Sequence, residues 1–378
     1  MKLNWQYFKL FIFLFVFMNG LTAIAGDVET LPIGSKAPDF NLPGIDGKNY
    51  SLADFKDAKI LTIIFTCDHC PTAQAYEDRI IQLVKDYKDK GVAFVAISPN
   101  SPAALCLEEE AYTNLDDTYE SMKIRAKNKN FNFLYLYDGD TQETSLKYGP
   151  VATPHVFIFD ENRILRYTGR IDNLENPYKT PTEQDTRDAL NALLNNQPVK
   201  VQQTKTFGCS IKWAEKAAWR EKLDKDWAAK PVELNDIDAQ GIKELLANQG
   251  DKLRLINVWA TWCGPCVIEF PEFVKFERMY KERNFEFVSI SADVPERKDK
   301  VTSFLKEKQA ATTNYLYNSD DKYKLIEAVD PDWGGALPYT VLVAPGGKVL
   351  YKNQGAVDPL EVRTAIINYL GRFYADNK

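Results

Sequence analysis

Four of the six cysteines stand in two pairs, Cys67-Asp68-His69-Cys70 and Cys263-Gly264-Pro265-Cys266. Two thiols spaced C-x-x-C suit thiol–disulfide exchange, because one attacks a disulfide as a thiolate and the other expels the resulting mixed disulfide. The same residue types serve as half of a zinc site or as a structural bridge. Each pair follows its own apolar run, so a shared four-cysteine zinc site is disfavoured. Pro71 and Val267, not histidine, follow the pairs, which excludes covalent c-type haem. His69 lies inside the first pair and His155 directly after Pro154, and the chain has no other histidine. A protonated His69 stabilises the Cys67 thiolate, and Asp68 opposes it by repulsion. Glu269 shares a helical face with Cys266 among apolar neighbours. Buried there, it would titrate high and could exchange protons with the thiols; exposed, it is an ordinary surface glutamate. Cys106 and Cys209 have no motif partner. A disulfide between them, a relay thiol serving the first pair, or two isolated cysteines all fit.

The elements that must hold these groups repeat along the chain. Ile60 to Phe65 and Leu253 to Trp259 read as buried strands, each followed by a helical pattern, Gln74 to Asp86 and Ile268 to Tyr280. This places both pairs at strand-to-helix junctions, in the first turn, where unpaired N–H groups and the helix dipole favour a thiolate. Further strands are expected at Val92–Ser98, Leu134–Tyr137, His155–Phe159 and Ile164–Thr168, and again at Phe285–Ser291, Tyr339–Val343 and Val349–Lys352, with helices between and after them. Asp39–Leu42 and Tyr50–Leu52 suggest a hairpin about Gly47. Strand and helix alternation predicts a mostly parallel sheet, and the close final strand pair of each half predicts an antiparallel edge. Thr153-Pro154 and Leu337-Pro338 each open a strand, where a cis peptide is expected.

A chain of 378 residues is comfortable for two domains, each with its own core. The expected division is a leader at 1–25, a first domain at 27–200 carrying Cys-Asp-His-Cys, a connection at 201–230 and a second domain at 231–378. The net charge is −6 and no basic stripe is present, so nucleic acid is not an expected partner. Lys2 and Lys9, the apolar run Leu10 to Met18 and Ala23-Ile24-Ala25 form the pattern of a cleaved secretory signal. An uncleaved membrane anchor is the alternative. The expected location is periplasmic or otherwise extracytoplasmic.

At these motifs the chain resembles two thioredoxin-fold proteins in tandem. The second half, with Trp259 to Cys266, Glu269, Pro271 and Leu337-Pro338-Tyr339-Thr340, resembles the TlpA/ResA-like thiol-disulfide reductases. The first, with Phe65 to Pro71, Thr153-Pro154-His155 and Gly208 to Trp213, resembles the redoxin (AhpC/TSA-like) group. The resemblance implies an α/β fold of two thioredoxin-like domains, each a central mixed sheet flanked by helices. It assigns attack to Cys67 and Cys263, resolution to Cys70 and Cys266, the cis-proline role to Pro154 and Pro338, and proton tuning to Glu269. The implied function is an exported thiol-disulfide oxidoreductase that reduces protein disulfides and relays electrons between its two dithiols. The expected donor is a membrane or periplasmic thiol reductant, and no cofactor or metal is required. The alternatives are a thiol peroxidase, although the first half lacks the peroxiredoxin P-x-x-x-T-x-x-C motif, and a Cu(I) carrier using Cys67, Cys70 and a histidine.

Overall fold

The computed structural model describes residues 28–176 and 179–372. The expected leader at 1–25 therefore lies outside the described residues. In the first half a short hairpin, β1 (Asn41–Pro43) and β2 (Asn49–Ser51), precedes β3 (Ile60–Phe65), α1 (Pro71–Tyr87), β4 (Val92–Ser98), α2 (Tyr119–Lys129), β5 (Leu134–Tyr137) and α3 (Glu143–Tyr148). β6 (Ala152–Thr153), β7 (His155–Phe159), β8 (Leu165–Gly169), α4 (Asp185–Leu194), β9 (Cys209–Ser210) and α5 (Ala217–Ala228) follow. The second half comprises β10 (Asn235–Ile237), α6 (Ala239–Ala247), β11 (Leu253–Trp259), α7 (Gly264–Tyr280), β12 (Phe285–Ser291), α8 (Lys298–Glu307), β13 (Thr313–Tyr317), α9 (Lys322–Val329), β14 (Tyr339–Val343), β15 (Val349–Gln354) and α10 (Pro359–Leu370).

Each half builds one mixed sheet flanked by helices. The first has strand order β5-β4-β3-β7-β8 and the second β10-β13-β12-β11-β14-β15. In both, parallel strands occupy one side and a terminal antiparallel pair the other. The central strands β3 and β11 are buried almost throughout, as expected of strands covered on both faces. Their apolar side chains feed a core on each side of the sheet.

Several elements lie outside the expected set, among them the short strands β6 and β10. β13 (Thr-Asn-Tyr-Leu-Tyr) and the short helices α3 and α9 carry weak periodicity in polar surroundings, and their places come from the sheet they join. β9 lies inside the stretch read as a connection. Residues 202–213 do not bridge two domains but return to the first sheet: Thr168 N–H donates to Gln202 O, β9 pairs antiparallel with β6, and Lys212 N–H donates to Asn100 Oδ1. The later part of the stretch, α5, belongs to the other side, where Trp227 enters the second core and donates from Nε1 to Gln309 O.

Candidate active site

Both cysteine pairs stand where a central strand turns into a helix, but the helix starts at different points. A proline is favoured in the first helical turn, because its missing N–H has no partner to lose there. In the first half Pro71 follows the second cysteine, so Cys70 becomes the N-cap. In the second half Pro265 lies between the cysteines and Cys263 is the N-cap. The expectation that both pairs lie in a first turn thus holds for Cys70, Cys263 and Cys266. Cys67 lies in the turn outside the helix.

Asp117 holds that turn. Its Oδ1 accepts the N–H groups of Asp68 and His69, each at 2.8 Å, and its Oδ2 lies 2.5 Å from His69 Nδ1 and accepts from Asn100 Nδ2 at 2.7 Å. Burial favours neutral forms for both partners, yet each overcomes it for the other. The Asp117 charge raises the His69 pKa, and His69 with these donors keeps Asp117 below the usual carboxylate range. Asp68 is buried and accepts from Tyr135 OH at 3.2 Å. Burial, with Asp117 and Glu77 nearby, pushes its pKa well up, which favours the neutral carboxyl and weakens the repulsion expected of it.

The effect of His69 also falls on a different sulfur from the one expected. Cys70 Sγ accepts from Ala73 N–H at 3.4 Å and Cys209 N–H at 3.3 Å, and Cys67 and Cys209 pack against it. Burial and Thr153 O, 3.5 Å away, favour the protonated form, but these donors and the His69 charge bring the Cys70 pKa well below that of an ordinary thiol. Cys67 moves the other way, raised by burial and by its hydrogen bond to Cys70, with Thr153 Oγ1 at 3.1 Å. The Thr153–Pro154 peptide is cis, and the pairing of Phe65 with His155 sets Pro154 level with Thr66, beside the pair. His155 itself faces away. Its Nδ1 accepts from Val151 N–H, its Nε2 bonds Thr168 Oγ1, and burial lowers its pKa to about 3. It is a neutral structural histidine.

Cys67, His69 and Asp117 are the donor group among the described residues with spacing for a metal ion, within 4.8 Å of one another. Asp117 is already engaged by four donors and His69 Nδ1 by Asp117, whereas His69 Nε2 is buried without a hydrogen-bond partner.

The second site is more open. Cys263 and Cys266 form a disulfide, and Cys266 N–H points at Cys263 Sγ at 3.3 Å. Cys263 is 6% exposed and Cys266 fully buried, while Trp262 and Ile268 beside them are 59% and 80% exposed. Asp293, at the end of β12, accepts from Thr261 N–H and Oγ1, each at 2.8 Å, and so holds this turn from one side. Leu337–Pro338 is cis, and the pairing of Val258 with Tyr339 sets Pro338 level with Trp259. Glu269 is buried. Its Oε1 accepts from Asn257 Nδ2 at 3.3 Å and its Oε2 from Val357 N–H at 3.0 Å, and burial raises its pKa. Trp259 lies wholly in the core. Cys106 is buried too, with its thiol pushed up to about 11 by burial and by Glu109 and Glu108. Asp117 and Asp293 were not singled out from sequence. Each sits in a polar stretch without motif spacing, and only the sheet brings it to its cysteine turn.

Two mixed sheets with the same strand plan, each carrying a C-x-x-C turn and a cis-proline, define a tandem thioredoxin-fold protein. Residues 33–168 match the AhpC/TSA family and residues 226–366 match Redoxin, so the chain carries two tandem redoxin/AhpC-TSA domains. It is similar to the thiol-disulfide oxidoreductase ResA of Bacillus subtilis, 30% identical over 33% of this chain and 59% of that protein. It is also similar to the thiol:disulfide interchange protein HelX of Rhodobacter capsulatus, 30% identical over 30% of this chain and 64% of that protein. Among solved structures, an uncharacterized conserved protein from Geobacillus kaustophilus is 37% identical, covering 49% of this chain and 94% of its own with a TM-score of 0.43. The chain spans about six tenths of the length of the curated relatives it matches.

Proposed function

We propose that the chain is an exported thiol-disulfide oxidoreductase that reduces protein disulfides through Cys263 and Cys266 and passes electrons on to Cys67 and Cys70. The observation that carries this reading is the placement of Cys263 at the N-cap of α7, 6% exposed between the open residues Trp262 and Gly264, with Cys266 fully buried directly behind it. The Cys263 thiolate attacks a substrate sulfur and one substrate thiol leaves. Cys266 then gives up its proton and attacks Cys263 Sγ, so the second substrate thiol departs and the pair is left oxidised. Trp262 and Ile268 offer apolar surface beside the sulfur, which suits a protein partner. Glu269 is the proton store, its raised pKa bringing it nearer to neutrality. Pro154 and Pro338 give each site its fixed backbone edge. Reduction of the pairs falls to a membrane or periplasmic thiol reductant.

Export rests on the leader pattern at residues 1–25. No helix among the described residues is long and apolar enough to cross a membrane. The first domain is read as extending to residue 213, because β9 and Lys212 pair with it, and the second as starting at residue 231, with α5 leaning on the second. Reduction of insulin by the dithiol form tests the reading: Cys263→Ser should remove most of the activity, and full activity in a Cys263→Ser, Cys67→Ser double variant refutes it.

A further inference from the structure

The first site has a difficulty the second does not. Cys70 is 0% exposed and Cys67 3%, and every residue from Ile60 to Glu77 is buried. With no exposed neighbour beside either sulfur, an outside disulfide has little access to the pair. What covers the pair is β9. Gly208, at φ +129°, brings that strand against Thr153, where a Cβ would come within 2.1 Å of Thr153 O, so only glycine permits the approach. Cys209 then pairs with Thr153, directly before cis-Pro154, with its N–H on Cys70 Sγ. The next residues are clamped in turn. Lys212 O accepts from Ser101 N–H and Gln142 Nε2, and Ala214 N–H donates to Gln142 Oε1. Cys209 is partly exposed, and it packs against the cluster of Cys67, Cys70 and Ala73.

We infer that Cys209 is the third thiol of the first redox centre and the entry point through which the buried Cys67–Cys70 pair exchanges with outside disulfides. This rests on the reading of the first domain as a thiol-exchange site. The Cys209 thiolate attacks R–S–S–R′, breaking the S–S bond; R′S⁻ leaves and takes a proton. The Cys70 thiolate attacks Cys209 Sγ of the mixed disulfide, RS⁻ leaves and takes a proton, and a Cys70–Cys209 disulfide forms. Cys67 loses its proton and attacks Cys70 Sγ, and Cys209 is released as a thiol. Two electrons and two protons have then passed from Cys67 and Cys70 to the substrate, with Cys209 unchanged. Run backwards, the same steps reduce the pair.

The test uses the full chain with Cys263 and Cys266 changed to serine, fully reduced, then given oxidised glutathione and acid-quenched at intervals for peptide mapping. Glutathione should appear first on Cys209. In a Cys67→Ser background the Cys70–Cys209 disulfide should accumulate, and Cys209→Ser should slow oxidation of the Cys67–Cys70 pair at least about tenfold. Glutathione arriving first on Cys67 or Cys70, or a Cys209→Ser variant oxidised at the unaltered rate, overturns the inference. If Cys209→Ser fails to fold, the Cys67→Ser chain decides alone, because accumulation of glutathionylated Cys70 with Cys209 still a thiol is equally fatal. A Cys67–Cys70 pair that never oxidises under glutathione would defeat the first-domain reading itself, and insulin reduction by the unsubstituted chain scores the second domain separately.

Discussion

In the first domain the helix begins after the second cysteine, at Pro71; in the second it begins after the first, at Gly264. The spacing of the thiols is identical and the fold around them is the same, so the position of one proline decides which sulfur receives the helix end. The consequence is electrostatic. Helix N–H groups, Cys209 and His69 all favour ionisation of Cys70, and Cys67 is left in a turn that an aspartate must hold. The surroundings differ as well. The second site keeps apolar side chains in the open beside Cys263, whereas the first is roofed by a strand of its own chain. Equal motifs thus sit in two settings, one with open apolar neighbours and one whose neighbours are all buried.

The largest effect should be in accessibility. In the native dithiol form Cys263 should alkylate roughly a hundredfold faster than Cys67 or Cys70, since exposing the latter requires a local opening of about 3 kcal/mol or more. Comparable rates in iodoacetamide mapping would erase the distinction between the sites. Next comes Asp117→Asn, which removes the charge from a buried pair holding four donors and should cost about 3 kcal/mol, read from urea unfolding at pH 6. The sign with pH is fixed by the two shifts. His69, raised, adds stability below about 6.5 that is lost as pH rises through its folded value, and Asp117, lowered, adds stability that is lost as pH falls through its own. The variant should therefore flatten both flanks, and a steep unaltered profile would show that the pair is not ionised.

A smaller effect is expected in potential. With one pair at a time changed to serine in the full chain, Cys67–Cys70 should be the less negative, by about 30 mV for each ~1.4 kcal/mol by which the stabilised Cys70 thiolate favours the reduced form. A first pair at or below the second reverses the proposed flow of electrons. Smallest is Glu269→Gln. The carboxyl is neutral below its raised pKa and negative above it, and it lies one helical turn from Cys266, so ionisation should hinder formation of the Cys263 and Cys266 thiolates. Glutamine should shift the alkylation-versus-pH curve of Cys263 to lower pH and remove one inflection. An unmoved curve would leave Glu269 as a structural acceptor for Asn257 and Val357.

Much of this architecture was readable from local pattern. The strands Ile60–Phe65, Val92–Ser98, Leu253–Trp259 and Phe285–Ser291 coincide with the expected ranges because uninterrupted apolar runs bounded by turns leave little choice. The two proline peptides were legible for a similar reason. What escaped is non-local. Asp117 lies 48 residues from the backbone it holds, and no spacing rule links them. β9 is two residues long, and its role comes from Gly208 fitting against Thr153 rather than from any period. The start of α1 was within reach, since Pro71 marks it.

The loop between β4 and α2 has a consequence of its own. Its later residues end in Asp117, the anchor of the first cysteine turn, but its middle is embedded in the other domain. Ala111 belongs to the second core, Arg283 donates to Ala111 O, Arg363 pairs with Glu110 at 3.0 Å, and Asn114 bonds Thr364 and Arg372. The two redoxin halves are therefore not beads on a string. Neither can melt without stripping partners from the other, and calorimetry should record one cooperative transition in which Glu110→Ala lowers the midpoint of both halves together, having left Arg363 buried without its charge partner.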